Sequence, residues 1–323
     1  MNCILGLRKN LYLCRLFSEN VFEMKEKIKP FVLPAAIVLG TLTHSYCGLM
    51  AAAMPYVIFA ILQLTFCAVD IRSLRPTWMD AWLVAFQVIV SVGGYMAMFV
   101  LTHNPILSEG LLICVLCPVA SSTAVVACQL GADRVRVTTY TMIGNLMVAV
   151  VAPIVFSFIG INQSMPFIDS FWLILKRIAS VLAIPFFIAL LLQLFLPKVN
   201  GVIAKWKGAA FYLWACALLI TLGQTIDFIF LHGKGNWDSI GWLAVIALVI
   251  CIIQFGVGKL LGRHYGDIMA GGQLLGQKNS AMGIWMSNTY LTPLASCVLA
   301  FYSIYQNLFN SWQIWKYGEA IHA

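Results

Sequence analysis

Long apolar stretches separated by short polar segments set the strongest constraint on what this chain can fold into. About 20 apolar residues in a helix are needed to cross the hydrocarbon core of a bilayer. Ten such stretches follow one another along the chain, and each predicts a membrane-spanning helix. The predicted spans cover residues 31–46, 48–69, 80–101, 109–131, 137–160, 172–196, 209–231, 239–261, 268–290 and 294–315.

The composition also indicates an all-α integral membrane protein. Hydrophobic residues make up 61% of the chain and charged residues only 10%, whereas soluble domains carry about 25% charged residues. The net charge of +8 does not predict nucleic-acid binding, because the basic residues lie in short loops rather than in a basic stripe with exposed aromatics. The Cys114-x-x-Cys117 pair has no second pair or histidine cluster at zinc spacing, so it predicts helix packing and no metal site. No hydrolase or nucleotide-binding motif is present, so neither an enzyme nor a cofactor is expected.

The basic residues also predict how the chain is oriented in the membrane. If the N-terminus lies in the cytoplasm, 16 of the 20 Lys and Arg residues fall on the cytoplasmic side and three fall outside. This excess predicts that both termini are cytoplasmic. We expect a cytoplasmic N-terminal extension over residues 1–29, a ten-helix domain over 30–316 and a cytoplasmic tail over 317–323. No signal-peptide core follows the first basic residues, which favours the inner membrane of a prokaryote.

The ninth predicted span, residues 268–290, carries polar residues at its centre. Four glycines lie between Gly271 and Gly283, and each weakens a helix by roughly 1 kcal/mol relative to alanine. Lys278 is about ten residues from either end of the span, too far to reach the interface easily. Polar groups at membrane depth usually face a cavity or a partner. We therefore predict a broken helix whose polar residues form a functional site: Gln277, Lys278, Asn279 and Ser280.

The fourth predicted span has a similar interruption. Pro118 is followed by the small polar residues Ser121, Ser122 and Thr123. In each half of the chain a helix with glutamine and glycine precedes the interrupted helix, and Gln87 is the glutamine of the first half. The same order in spans of opposite direction predicts an inverted repeat of five spans. Two broken helices that cross at the midplane expose carbonyl groups and helix N-termini, which hold ions and anionic substrates in secondary transporters.

At these two interruptions the chain resembles the bile acid:sodium symporter family. The resemblance extends over about residues 30 to 316 and implies two inverted five-helix repeats with crossed discontinuous helices 4 and 9. The family's ninth helix carries Glu-x-Gly-x-Gln-Asn-Ser, and the same positions here are Leu274-x-Gly276-x-Lys278-Asn279-Ser280. The fourth helix of the family carries Cys-Pro, which matches Cys117-Pro118.

The resemblance also implies ion-binding roles outside the two interruptions. The fifth helix of the family supplies hydroxyl groups to an ion site, and Thr138 and Thr141 are the candidates in this chain. Gln87 lies within one position of a glutamine that the family uses for the second ion. The segment Tyr302-x-x-Tyr305-Gln306-Asn307-Leu308 is similar to the family's tenth helix.

Two positions depart from the sodium-binding motif of that family. The glutamate that bridges two sodium ions is Leu274 here, and the sodium-binding glutamine is Lys278. An ammonium group about 4 Å from a bound sodium would repel it by several kcal/mol at an effective dielectric constant near 20. We expect Lys278 to replace the sodium and to donate hydrogen bonds to carbonyl groups of the broken helices. Sodium coupling is then lost or weakened.

The sequence therefore predicts a bilayer-embedded secondary transporter of a small organic anion that works by alternating access. Two alternatives stay open. One is a proton-coupled or uncoupled carrier of a carboxylate metabolite, in which Lys278 exchanges protons. The other is a membrane sensor that binds a ligand without moving it. The sequence predicts neither the substrate nor the oligomeric state.

Overall fold

The described part of the chain is helical. The computed structural model describes Ala35 and residues 38–120, 123–160, 166–232 and 234–322, and these residues form no strand. The predicted N-terminal extension, residues 1–29, lies outside the described residues, as do Ser121 and Ser122.

The helices are numbered in chain order. Those of the first half are α1 (His44–Cys47), α2 (Met54–Cys67), α3 (Trp78–Thr102), α4 (Pro105–Leu116), α5 (Thr123–Gln129) and α6 (Arg134–Ile159). Those of the second half are α7 (Phe167–Phe195), α8 (Pro197–Ala204), α9 (Ala209–His232), α10 (Trp237–His264), α11 (Ile268–Gly276), α12 (Ser280–Tyr290) and α13 (Cys297–His322). Short 3-10 turns lie at Gly48–Ala53, Ile71–Ser73, Lys205–Gly208 and Pro293–Ser296.

Five described helices are long and apolar enough to cross a membrane. They are α3, α6, α7, α10 and residues 212–231 of α9. Residues 44–50 and 54–67 provide a sixth if the two segments, bent by 75°, count as one span. So many long apolar helices indicate a protein that is embedded in a membrane.

The predicted fourth and ninth spans are each divided into two short helices. The fourth consists of α4, with 12 residues, and α5, with seven. The ninth consists of α11, with nine residues, and α12, with 11. At 1.5 Å per residue, the longest of the four extends only about 18 Å and cannot cross a 30 Å hydrocarbon core alone. The predicted interruption is therefore present in both spans.

The last helix extends beyond the last predicted span. Residues 317–323 are the predicted cytoplasmic tail, and α13 continues to His322. The helix can continue because none of its residues is a proline and its glycine, Gly318, is a single weakening residue.

An additional helix, α8, follows α7 directly and begins with Pro197, a residue well suited to a first helical turn.

Helices α10 and α11 pack through their backbones. A Cβ atom added at Gly258 of α10 would overlap the carbonyl oxygen of Gly271 in α11, and one added at Gly271 would overlap the backbone of Gly258 and Gly262. Small residues allow helices in a membrane to approach this closely. The contact holds α11, the first half of the broken ninth span, firmly against the long helix α10.

A separate contact joins α1 to α9. Nδ1 of His44 lies 2.9 Å from Oδ1 of Asp227, and the two side chains are about three-quarters buried. The ring of His44 also lies 5.0 Å from the ring of Phe230. Sequence analysis did not single out this pair, which stabilises the first described helix against the rest of the fold.

The close contact between α10 and α11 predicts different outcomes for two glycines of one helix. Gly258→Ala should lower the free energy of unfolding by about 1–3 kcal/mol, because the new methyl group overlaps backbone atoms that cannot rotate away. Gly256→Ala is the matched control, because an added Cβ atom there has no neighbour within 4 Å. It should be neutral or slightly stabilising. Thermal unfolding in detergent measures the stability of both variants, and equal changes in their melting temperatures would contradict the close contact at Gly258.

Candidate functional site

The two helix interruptions cross each other inside the protein. Val119 and Lys278 form an antiparallel bridge. The backbone N–H of Ala120 donates to the carbonyl of Gln277 at 3.3 Å, and that of Asn279 donates to the carbonyl of Pro118 at 2.8 Å. Helix ends leave backbone groups without partners, and such groups are costly when buried. At this crossover each interruption supplies partners for the other.

Local sequence explains why the helices stop here. Proline disfavours helical geometry in the residue before it, and Cys117, which precedes Pro118, has an extended ψ of 136°. In the ninth span, Gln277 after Gly276 is also extended, with φ −90° and ψ 116°. Helix α12 then begins at Ser280, because the side chain of Asn279 accepts a hydrogen bond from the backbone N–H of Met282.

The carbonyl groups at the ends of α4 and α11 receive side-chain donors. Nζ of Lys278 donates to the carbonyl of Val115 at 2.9 Å. Nε2 of Gln87 donates to the carbonyls of Leu116 and Cys117, both at 3.0 Å. The hydroxyl of Tyr302 donates to the carbonyl of Gly276 at 2.7 Å. Four carbonyl oxygens at the crossover are thus occupied by donors of the protein itself.

The charge of Lys278 matches this position. The C-terminal end of a helix carries roughly half a negative charge, and both α4 and α11 end at the crossover. Lys278 is only 1% exposed. Among the described residues, no carboxylate forms an ion pair with it. The carbonyl of Val115 in the last turn of α4 therefore offers its negative partial charge to the buried ammonium, whereas the N-termini of α5 and α12 at the same crossover have the opposite sign.

Two carboxylates, Asp80 and Glu109, are buried near the starts of α3 and α4. Asp80, 2% exposed, accepts from the backbone N–H of Thr77 at 2.6 Å and caps α3. Glu109, 6% exposed, accepts from the backbone N–H of Thr292 at 2.6 Å. Both carboxylates therefore bind backbone N–H groups, Asp80 within its own helix start and Glu109 at the distant residue Thr292, rather than Lys278.

A network of buried amides surrounds the crossover on the α13 side. Oε1 of Gln306 accepts from the backbone N–H of Lys278 at 2.8 Å, and its Nε2 donates to the carbonyl of Lys278 at 3.2 Å. Nε2 of Gln306 also lies 3.4 Å from the hydroxyl of Ser280. These bonds hold the backbone of Lys278 against α13.

A second part of the network runs away from the crossover. The hydroxyl of Thr123 donates to Oε1 of Gln277 at 3.2 Å, and Nε2 of Gln277 donates to Oε1 of Gln273 at 2.6 Å. Nε2 of Gln273 in turn lies 3.2 Å from Oδ1 of Asn310 and 3.4 Å from Oε1 of Gln313. All five side chains are buried. They connect α5 to α11 and α13.

Leu274, which aligns with the bridging glutamate of the family that the sequence resembles, has an apolar environment. Leu274 is fully buried in a cluster with Met79, Leu83, Val119 and Tyr140. An ionised carboxylate at this position would lose its hydration without a partner, which is strongly unfavourable. The packing around Leu274 therefore leaves no suitable environment for an ionised carboxylate at this position.

The structure brings most of the predicted site residues together. Gln277, Lys278, Asn279, Ser280, Thr123 and Gln87 all lie at the crossover, whereas Ser121 and Ser122 are outside the described residues. Thr138 and Thr141 are buried in α6, where Thr141 donates to the carbonyl of Val137 in its own helix.

Sequence analysis missed the contributions of α13 and Gln273. Tyr302 and Gln306 were noted only as part of a family-like segment. Gln306, Asn310 and Gln313 have the i, i+4, i+7 spacing of one helical face. That spacing was the signal for a polar stripe in the last span.

Comparison of this chain with known protein families and with curated proteins found no match.

Gln87 and Gln254 provide a matched test of the carbonyl network. Gln87→Leu should lower the free energy of unfolding by about 1–3 kcal/mol, because the carbonyls of Leu116 and Cys117 and the hydroxyl of Tyr140 lose their partner. Gln254 is 1% exposed, and neither of its amide atoms has a hydrogen-bond partner among the described residues. Gln254→Leu should therefore be neutral or stabilising. Thermal unfolding of both variants measures the difference, and similar losses would contradict the assigned bonds.

Proposed function

We propose that this protein is a secondary transporter of an organic anion, in which the ammonium of Lys278 takes the place of a bound sodium ion. The observation that carries the proposal is the burial of Lys278 between two helix C-termini, with its Nζ donating to the carbonyl of Val115. Broken helices that meet inside a membrane domain are the usual binding centre of such carriers.

The occupied carbonyls support an internal cation over sodium. A sodium ion needs several oxygen ligands that are free to turn toward it. At the crossover, the carbonyls of Leu116, Cys117 and Gly276 already accept from Gln87 and Tyr302. The place of the family's bridging carboxylate is taken by buried Leu274. These features favour transport without sodium coupling.

The arrangement of helices supports a ten-span architecture in two inverted five-helix repeats. Five long helices and two divided spans coincide with predicted spans of the sequence. In our proposal both termini lie in the cytoplasm and the protein lies in the inner membrane. The crossover of the fourth and ninth spans is the centre around which the two access states alternate.

The positive charge supports an anionic substrate. Lys278 has no carboxylate partner among the described residues, so an approaching anion meets no competing ion pair. In the described conformation Lys278 is enclosed. A groove of about 620 Å³ lies between α3, α4 and α10 and does not include it. Access to the ammonium therefore requires a movement of helices, which alternating access provides.

Thermal unfolding in sodium and in potassium chloride at equal ionic strength tests the internal cation. The wild-type protein should show the same melting temperature in both salts. The double variant that combines Lys278→Gln and Leu274→Glu restores the family's ligands. Its melting temperature should be higher in sodium than in potassium chloride, because an ion that binds only the folded state stabilises it by mass action.

Lys278→Gln alone is the control for loss of charge without the restored carboxylate. A sodium-specific rise in the wild type would contradict the proposed replacement. A folded double variant with no response to sodium would contradict the assignment of these two positions.

Uptake into proteoliposomes without a sodium gradient tests transport itself. Taurocholate and lactate are suitable anionic probes, one steroid-like and one a small carboxylate, and choline is the cationic control. We expect uptake of an anion but not of choline, and loss of that uptake in Lys278→Met, which keeps the side-chain length and removes the charge. Uptake of choline, or anion uptake unchanged in Lys278→Met, would contradict the proposed role of the lysine.

A further inference from the structure

Two lysines and three aromatic rings form a cluster at the C-terminal ends of α10 and α13. Nζ of Lys259 lies 5.1 Å from the ring centre of Phe309 and 6.0 Å from that of Tyr317. Nζ of Lys316 lies 5.1 Å from the ring centre of Trp312 and 5.4 Å from that of Tyr317. Two ammonium groups thus share the ring of Tyr317. We call these five residues the Lys259–Lys316 cluster.

The position of Lys259 is set by the helix beside it. Its methylene chain passes over Gly272 of α11, where an added Cβ atom would lie 2.7 Å from Cγ and 3.3 Å from Cε. The glycine therefore leaves the space in which the lysine side chain lies. This packing holds one ammonium group in place, so less side-chain entropy is lost when it binds a partner.

Carboxylates of the described side chains do not neutralise the cluster. No ion pair joins Lys259 or Lys316 to a described acidic side chain. Asp267, at the start of α11, accepts from the backbone N–H groups of Ala270 and Asp133. The aromatic rings attract each cation, but they do not remove the repulsion between two neighbouring positive charges.

The cluster lies near one end of a helix that is long enough to cross a membrane. Lys259 is five residues before the end of α10 at His264, which is about 7.5 Å along the helix. The surrounding surface is apolar and exposed, with Leu260 at 68% and Leu308 at 64%. Tryptophan and tyrosine concentrate at this depth of a membrane. The two ammonium groups therefore face the boundary between acyl chains and headgroups.

We propose that the Lys259–Lys316 cluster binds the phosphate of an anionic phospholipid in the leaflet that holds the C-terminal ends of α10 and α13. The phosphate lies between the two ammonium groups and offsets their repulsion, while the acyl chains lie along the apolar surfaces of the two helices. This proposal depends on membrane embedding and not on the transport function.

Titration of the full-length protein with phosphatidylglycerol in mixed micelles at low salt tests the proposal, with the melting temperature as readout. Phosphatidylglycerol should raise the melting temperature, and phosphatidylcholine or inorganic phosphate at the same concentration should not. Lys316→Gln should weaken the apparent affinity roughly fivefold. The double variant with Lys259→Gln and Lys316→Gln should weaken it by roughly the square of that factor, because the two contributions to the binding free energy add.

The control is Lys198→Gln with Lys205→Gln, which removes two exposed lysines that contact no described aromatic ring. It should keep the wild-type affinity. An equal loss of phosphatidylglycerol affinity in the control would overturn the proposal. An unchanged affinity in the variant with Lys259→Gln and Lys316→Gln would also overturn it. Stabilisation by inorganic phosphate alone would overturn the choice of a lipid. Lys316→Gln changes an exposed side chain, so it keeps the test decisive if the double variant does not fold.

Discussion

Two broken helices that meet at one buried point leave backbone groups without intrahelical partners, and the fold around them depends on how those groups are satisfied. The antiparallel bridge between Val119 and Lys278 brings the C-terminal ends of α4 and α11 together. Burying the last carbonyl groups of these helices without hydrogen-bond donors would cost free energy. Lys278 provides a full positive charge at this point, while Gln87 and Tyr302 provide neutral donors. Charge and hydrogen bonding are therefore satisfied by the same small set of side chains.

The donors come from several helices, and this ties the crossover to the surrounding fold. Gln87 belongs to α3, its partner Tyr140 to α6, and Tyr302 and Gln306 to α13. The backbone contact of Gly258 with Gly271 adds α10. A movement that displaced the crossover from α3, α6 or α13 would break buried hydrogen bonds, and one that displaced it from α10 would open a close backbone contact. We infer that these helices move as one unit, and that any access movement occurs against the helices outside this network.

The sequence was sufficient to locate the crossover and to predict that Lys278 donates to a carbonyl of a broken helix, but not to predict which carbonyl or the other bonds. The glycines and Lys278 in an apolar stretch indicated one break, and Pro118 indicated the other, because each feature acts locally on the helix that contains it. The partner of Lys278 is a backbone carbonyl, Val115, which has no signature in the side-chain pattern. The His44–Asp227 pair joins residues 183 positions apart, and no local pattern relates them. Contacts that depend on how distant helices pack were therefore the part that could not be predicted.

A tethered cation changes the energetics of the proposed transport. A bound sodium ion leaves with the substrate and adds its own gradient to the driving force, whereas an ammonium on Lys278 stays with the protein. An anion that crosses without a co-transported cation carries net charge, and moving one charge across 100 mV corresponds to about 2.3 kcal/mol. In a membrane that is negative inside, this term opposes accumulation of the anion and favours its release. In the proposed carrier, a lysine in place of the family's sodium-binding glutamine thus adds an electrical term that a one-to-one sodium and anion symporter does not have.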